Sequence, residues 1–243
     1  MRRALLCLLL AACASEHKQP AAAEPEAPPP PPPPPDASVP TAEPAAPPPG
    51  RALTEGEIAL VRPFFGDAID YAKVRVIPER YFLLQPADVY MTPNGSIYAP
   101  GTLFEADFAA ASVDPALRAV FVHEMTHVWQ YQSGVNLIVG GVVEFLRRGG
   151  RYDQAYPYHL AAGLDLLDYG IEQQASIVED QVRIHAGLST RQLAADGLSE
   201  RERDKRYAAI LRRLYADPGY AHSLPPADLQ ARIGRATRTD RDN

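Results

Sequence analysis

The chain has 243 residues and a formal net charge of −6, with its acidic residues scattered along the sequence. Because it has no basic stripe, a nucleic-acid partner is not expected. Its two cysteines, Cys7 and Cys13, lie at the extreme N-terminus, so the rest of the chain has neither a disulfide nor a thiolate ligand. Any metal in a folded domain must therefore use histidine and carboxylate ligands, which is typical of catalytic rather than structural zinc sites.

The first residues have the pattern of a secretory signal. Met1-Arg2-Arg3 is a positive segment, and the apolar run from Ala4 to Ala12 is too short to span a membrane. The run ends in Leu10-Ala11-Ala12-Cys13, which resembles the lipobox of bacterial lipoproteins. The resemblance implies a signal peptide over residues 1–13, a lipid on Cys13, and attachment to the periplasmic or outer-membrane side of the cell envelope. The alternative is ordinary cleavage after Ala12-Cys13-Ala14, which releases a secreted soluble protein.

Residues 14–50 are predicted to be a disordered tether rich in proline and alanine. Pro28 to Pro35 is an unbroken run of eight prolines, which favours extended polyproline II. At about 3.1 Å per residue, the tether can reach on the order of 100 Å. We interpret it as a spacer that holds a domain away from a membrane, with a proline-rich ligand for a recognition domain as the alternative.

Residues 51–235 are predicted to form one α+β domain, mainly α-helical with a small N-terminal β-sheet, followed by a frayed C-terminus at 236–243. Thr54-Glu55-Gly56-Glu57 has the form of a capping box and predicts a helix start. The segment from Lys73 to Ile77 alternates and predicts a strand. Asn94-Gly95 lies between two β-rich runs, which is a strong hairpin signal.

The most informative motif is His123-Glu124-Met125-Thr126-His127, on a helix predicted from Asp114-Pro115 to about Tyr131. Two histidines four residues apart share one helix face, so both imidazoles can bind one Zn²⁺. Glu124 can then act as general base on a zinc-bound water. Glu124 is the only charged residue between Ala119 and Gln132, and burying this polar trio is costly unless a partner such as a metal satisfies it. The alternative is a pair of satisfied core histidines.

The segments that follow are predicted from their composition and periodicity. They are an apolar stretch broken at Gly140-Gly141, a tyrosine-rich loop from Tyr152 to Tyr158, a long helix from about Leu160 to His185, and an amphipathic helix from Ser199 to Ala216.

A catalytic zinc needs a third protein ligand and one open position. Glu172 is our candidate, because it lies in an otherwise apolar part of the predicted helix. Glu179 and Asp180 are the alternatives for this ligand. Glu172 could also be an ordinary solvated helix carboxylate.

The motif at His123 to Gln130, followed by Glu172-Gln173-Gln174-Ala175, resembles gluzincin-type zinc metallopeptidases. More narrowly, the chain is similar to the HExTHVxQ domains of bacterial contractile injection systems and Vgr/Rhs loci, over about residues 55–185. The resemblance implies a zincin-like fold, with the small sheet packed on the motif helix and the hairpin as a candidate substrate-binding edge.

The resemblance also implies roles for individual residues. His123, His127 and Glu172 would be the metal ligands, and Glu124 the base. Many gluzincins orient a histidine with an aspartate at the position of Ser176, so that role would fall to Glu179 or Asp180, or be missing. Apart from the resemblance, peptide hydrolysis needs a group that stabilises the oxyanion, and the candidates in the tyrosine-rich loop and at its end are Tyr156, Tyr158 and His159. The alternative is that this loop only packs.

These observations predict a secreted, membrane-anchored zinc metallopeptidase. It would hold one Zn²⁺ per chain, act on a peptide or protein substrate, and reach the membrane through its N-terminal lipid. The first alternative is a catalytically silent, zincin-like binding or scaffold module of the bacterial cell envelope. The second is an adhesion domain without a metal, which requires the helix to tolerate a buried His-Glu-His trio without a cation.

Overall fold

The computed structural model describes residues 49–234 except 148, 150 and 196. The predicted signal peptide, the lipidation site, nearly all of the tether and the frayed C-terminus lie outside the described residues. Within the described part of the chain, none of the helices combines the length and the apolar character needed to cross a membrane.

The described residues form a mixed α+β structure, as predicted, with six α-helices and a small sheet. The strands are β1 (Arg51–Ala52), β2 (Arg75–Ile77) and β3 (Ile97–Tyr98). The helices are α1 (Glu55–Phe65), α2 (Pro115–Gln132), α3 (Leu137–Arg147), α4 (Ile171–His185), α5 (Glu200–Ala216) and α6 (Pro226–Arg232). Short 3₁₀ turns occur at Tyr71–Lys73, Gly101–Leu103, Tyr152–Ala155, Leu166–Asp168 and Pro218–Ala221.

Helix α1 begins with the predicted capping box. The Thr54 hydroxyl accepts a hydrogen bond from the backbone N–H of Glu57, and the Glu57 carboxylate accepts one from the backbone N–H of Thr54. That carboxylate is fully buried and also binds the guanidinium of Arg51 and the backbone N–H of Phe108. Glu57 therefore ties strand β1, helix α1 and the loop before α2 together.

The sheet has the order β1-β2-β3, with β1 antiparallel and β3 parallel to β2. The strand predicted over Lys73 to Ile77 is shorter than expected, because Tyr71–Lys73 forms a 3₁₀ turn first. The predicted hairpin is reduced to one antiparallel bridge between Met91 and Tyr98. Its second arm instead pairs with β2, so most of its hydrogen bonds are non-local.

Helix α2 carries the motif and is the central helix of the core. It begins as predicted, with Asp114 accepting a hydrogen bond from the N–H of Ala116 and with Pro115 in the first turn. Its main partner is α4, while α1, α3 and β3 also contact it. The consequence is that polar side chains of α2 and α4 face each other inside the protein.

Helix α3 differs from the prediction because it continues through Gly140 and Gly141. Gly140 faces α4, where a Cβ atom would lie 3.1 Å from the Cδ1 atom of Ile171. The absent side chain lets α3 approach the start of α4 closely, which offsets the low helix propensity of glycine. The opposite side of α3 exposes Ile138, Val139, Val142 and Leu146.

The long helix predicted from Leu160 to His185 is wrong over its first part. Gly163 has a φ of 76°, a left-handed conformation that ends helical continuation, and Leu166–Asp168 is a separate 3₁₀ turn. Helix α4 begins only at Ile171, after Gly170 as its N-cap. Glu172 consequently lies in the first turn of α4.

The amphipathic helix predicted over Ser199 to Ala216 is confirmed as α5, with Ser199 as its N-cap.

Candidate metal centre

Two helices bring three candidate ligands together. His123 and His127 lie one turn apart on α2, and Glu172 lies in the first turn of α4. The Nε2 atom of each histidine is 3.3 Å from the same carboxylate oxygen, Oε2 of Glu172. One ligand atom from each residue lies within 4.8 Å of the others. The side chains predicted to share a metal therefore converge on one point.

This arrangement fits a tetrahedral metal ion. Zinc–nitrogen and zinc–oxygen bonds of about 2.0–2.1 Å place neighbouring ligand atoms of a tetrahedron roughly 3.3–3.5 Å apart. The two separations of 3.3 Å at Glu172 match that edge. Two imidazoles and a carboxylate also form a donor set common in catalytic zinc sites. The cluster could therefore hold a divalent metal ion through these three residues.

Each histidine ring is oriented by a second hydrogen bond on its far nitrogen. His123 Nδ1 is 3.1 Å from Glu179 Oε2, and His127 Nδ1 is 2.8 Å from Gln130 Oε1. The amide nitrogen of Gln130 donates in turn to the backbone carbonyl oxygen of Ile171 and to the side-chain amide oxygen Oε1 of Gln174. Such contacts leave Nε2 of each ring directed toward Glu172, the orientation a metal requires.

Glu124 lies between the two histidines in sequence but is held by a different partner. Its Oε2 atom accepts a hydrogen bond of 2.7 Å from the hydroxyl of Thr92, in the segment that precedes β3. Both residues are buried, with 7% of Glu124 and 6% of Thr92 exposed. Thr92, from the segment before β3, thus positions the carboxylate of Glu124, the residue predicted from the sequence as a general base.

The charges of the metal-free cluster are strongly coupled. Burial opposes a charge on His123, but the carboxylates of Glu172 and Glu179 outweigh it and raise the pKa of His123 to about 10. The pKa of His127 is raised as well, since Glu172 outweighs its burial. Burial also opposes the charge on Glu172, yet the two histidines hold its pKa well below the usual range. Without a metal, the cluster is a buried imidazolium–carboxylate network.

The three candidates for a transition-state stabiliser have different surroundings. The Tyr156 ring stacks on the His123 ring, with centroids 5.9 Å apart. Burial and the nearby carboxylates of Glu172 and Glu124 raise the pKa of Tyr156 well above its usual value, so the phenol stays protonated. Tyr158 instead donates to Asp180 inside the core and contacts the hydroxyl of Tyr207. His159 is exposed. Among these three, Tyr156 is therefore the one that the structure places against the metal cluster.

Asp180 and Ser176 also have distinct positions. Asp180 is fully buried, and its carboxylate accepts hydrogen bonds from Tyr158 and from the backbone N–H groups of Arg191 and Gln192. Glu179, in contrast, contacts a candidate ligand directly. Within the described residues, the buried Ser176 hydroxyl has no hydrogen-bond partner. Of the two residues expected to orient a histidine, Glu179 is therefore the one that contacts His123.

Three further residues contact these side chains: Gln130, which belongs to the motif but has no role predicted from it, and Thr92 and Arg191, which the sequence does not indicate. Gln130 follows His127 by three positions, a helical spacing that could have indicated contact. Thr92 and Arg191 come from distant loops, and Arg191 Nη1 is 3.2 Å from Glu179 Oε1. No local pattern in the sequence relates these two residues to the motif.

Comparisons with known proteins show the family to which the chain belongs. No protein-family model matches the chain. It is 47% identical, over 132 residues, to the type VI secretion system spike protein VgrG2b of Pseudomonas aeruginosa; these residues are 54% of this chain and 13% of that protein. It also resembles the solved effector domain of VgrG2b, with a TM-score of 0.51, 42% identity, and coverage of 57% of this chain and 75% of that domain. The chain therefore belongs to the family of the VgrG2b effector domain.

Proposed function

We propose that the protein is an exported, zincin-like zinc metallopeptidase that hydrolyses peptide bonds. The observation that carries this proposal is the convergence of His123, His127 and Glu172, with Glu124 beside them. The relationship to an effector domain of a type VI secretion spike protein supports export and action on a partner outside the producing compartment.

Zinc at this centre would polarise the scissile carbonyl and acidify a water molecule. The protein's own residues then carry the proton transfers. Glu124 accepts the proton of the attacking water and passes it to the leaving amine, with Thr92 fixing one oxygen of its carboxylate. The protonated Tyr156 hydroxyl is our candidate donor to the oxyanion that forms during attack.

The location of the protein belongs to the same proposal. We propose that Cys13 carries a lipid and that residues 14–50 form a spacer between a membrane and the domain at 51–235. A tethered peptidase would act on peptide or protein substrates within reach of that membrane. Release as a secreted soluble protein after ordinary signal cleavage is the alternative.

The test is cleavage of a broad peptide library by the full chain and by Glu124→Gln, with zinc content measured for both. We expect wild-type cleavage that is lost in Glu124→Gln while zinc is retained, because the substitution removes the base and leaves the three ligands. Glu55→Gln is a matched control, since Glu55 is exposed on α1. A zinc-loaded wild type that cleaves no peptide would contradict the proposal and favour a silent binding module.

A further inference from the structure

The Glu179 carboxylate links the candidate metal centre to a loop that contributes nothing to the ligand set. One of its oxygens, Oε2, is 3.1 Å from His123 Nδ1, and the other, Oε1, is 3.2 Å from Arg191 Nη1. Glu179 is 1% exposed, whereas the Arg191 side chain is 51% exposed. The buried carboxylate therefore has one oxygen on the histidine and the other on a cation that comes from the surface.

The backbone of Arg191 is held in place by a second buried carboxylate. Asp180 Oδ1 accepts from the N–H of Arg191 at 2.6 Å, and Oδ2 accepts from the N–H of Gln192 at 3.2 Å. The adjacent segment pairs with Tyr158, whose backbone bonds to Gln192 and Ala194. Asp180 and Glu179 are neighbours on α4 and bind different parts of Arg191. Asp180 binds the backbone N–H of Arg191, and Glu179 binds its guanidinium.

We propose that Arg191 is a positioning residue for the metal centre, acting on His123 through Glu179. The proposal rests on the metal site of the proposed function but not on peptide hydrolysis. A carboxylate held at both oxygens has a fixed plane, so the imidazole bonded to it has a fixed ring orientation and presents Nε2 to the metal. Without Arg191, the buried Glu179 keeps a single partner and can rotate, which weakens the hold on His123.

The test is the zinc dissociation constant of the full chain, measured by competition with a chromophoric chelator. We expect Arg191→Ala to weaken zinc binding by about tenfold, because loss of partners that orient a ligand lowers metal affinity by about 10–100-fold. Arg191→Lys retains a cation at this position and should restore part of the affinity.

Arg183→Ala is the matched control for the loop. Arg183 also reaches this loop, where its Nε donates to the carbonyl oxygen of Ser189 at 2.9 Å, and its carboxylate neighbour is Asp180, 3.9 Å away, rather than Glu179. We expect its zinc affinity to equal that of the wild type. Equal weakening in Arg183→Ala and Arg191→Ala would overturn the proposal, because loop stability alone would then explain both.

A double-mutant cycle tests whether Arg191 acts through Glu179. If it does, adding Arg191→Ala to Glu179→Gln should change zinc affinity little beyond Glu179→Gln alone. Additive effects would overturn the proposal. The readout is metal affinity, so the result is independent of peptide cleavage, and a protein that binds zinc but cleaves nothing would contradict only the proposed function.

Discussion

At the residue scale, the two histidines of the motif are oriented by partners of different chemistry. His123 bonds to the carboxylate of Glu179, which is charged, while His127 bonds to the amide of Gln130, which is neutral. A carboxylate stabilises the imidazolium of a metal-free site and raises the basicity of a bound ligand. The amide fixes the ring without adding charge, so the two ligands are expected to respond differently to loss of the metal.

Replacing Gln130 tests the hold on His127. We expect Gln130→Leu to weaken zinc binding by about 10–100-fold, because the ring loses the acceptor that orients it. Isothermal titration with zinc measures the change. Gln132→Leu is the control, since Gln132 lies on the same helix but bonds to the backbone of Asp70. An unchanged affinity in Gln130→Leu would show that His127 is oriented by packing alone.

The raised pKa of His123 predicts how the metal-free protein responds to pH. Because the pKa is about 10 in the folded state and 6.5 in an unperturbed imidazole, the folded protein binds the proton more tightly. This contribution to the free energy of unfolding is complete below about pH 6.5 and is lost as pH rises toward about 10. Urea unfolding in the presence of a chelator should therefore show declining stability between those values.

The free energy of unfolding of His123→Gln should decline less between these pH values than that of the wild type. His159→Gln, a substitution at an exposed position, should show the wild-type decline. Identical pH profiles for wild type and His123→Gln would contradict the coupled imidazolium–carboxylate network.

How much of the site could be predicted from sequence depended on how local its contacts are. His123, Glu124 and His127 follow from helical spacing alone. Glu172 is a candidate from its position in the predicted helix, and the structure brings it to both histidines although that helix begins later than predicted. Thr92 and Arg191 could not be predicted, since each meets its carboxylate through the tertiary fold.

At the element scale, the site depends on the pairing of α2 with α4. The sequence predicted both helices, because each has a strong cap or apolar periodicity. It did not predict the irregular segment from Leu160 to Gly170, where Asp168 bonds to Arg232 of α6. That contact joins residues 64 positions apart, which a local pattern does not reveal.

Glu57 offers a test of how the N-terminal elements are joined. Its fully buried carboxylate binds Arg51, Thr54 and Phe108, so Glu57→Ala leaves a partly buried guanidinium and two N–H groups without that partner. We expect a loss of about 3–5 kcal/mol in the free energy of unfolding, measured with urea. Glu55→Ala, at an exposed position of the same helix, should stay within about 0.5 kcal/mol of the wild type.

A small effect of Glu57→Ala, comparable to that of Glu55→Ala, would show that this carboxylate does not join β1, α1 and the loop before α2.

At the scale of the whole molecule, the chain spans 13% of the length of the spike protein that it resembles. The shared part is an effector domain, and the match covers 57% of this chain. The candidate metal centre is the property through which such a domain would act.

The most direct test of this account is the zinc content of the purified full chain. We predict one zinc ion per chain in the wild type and in His159→Ala, and none in His127→Ala, because His127 is a proposed ligand and His159 is exposed outside the cluster. Elemental analysis after dialysis against metal-free buffer gives the stoichiometry. Zinc retained in His127→Ala, or a wild type that binds none when zinc is supplied, would contradict the central claim.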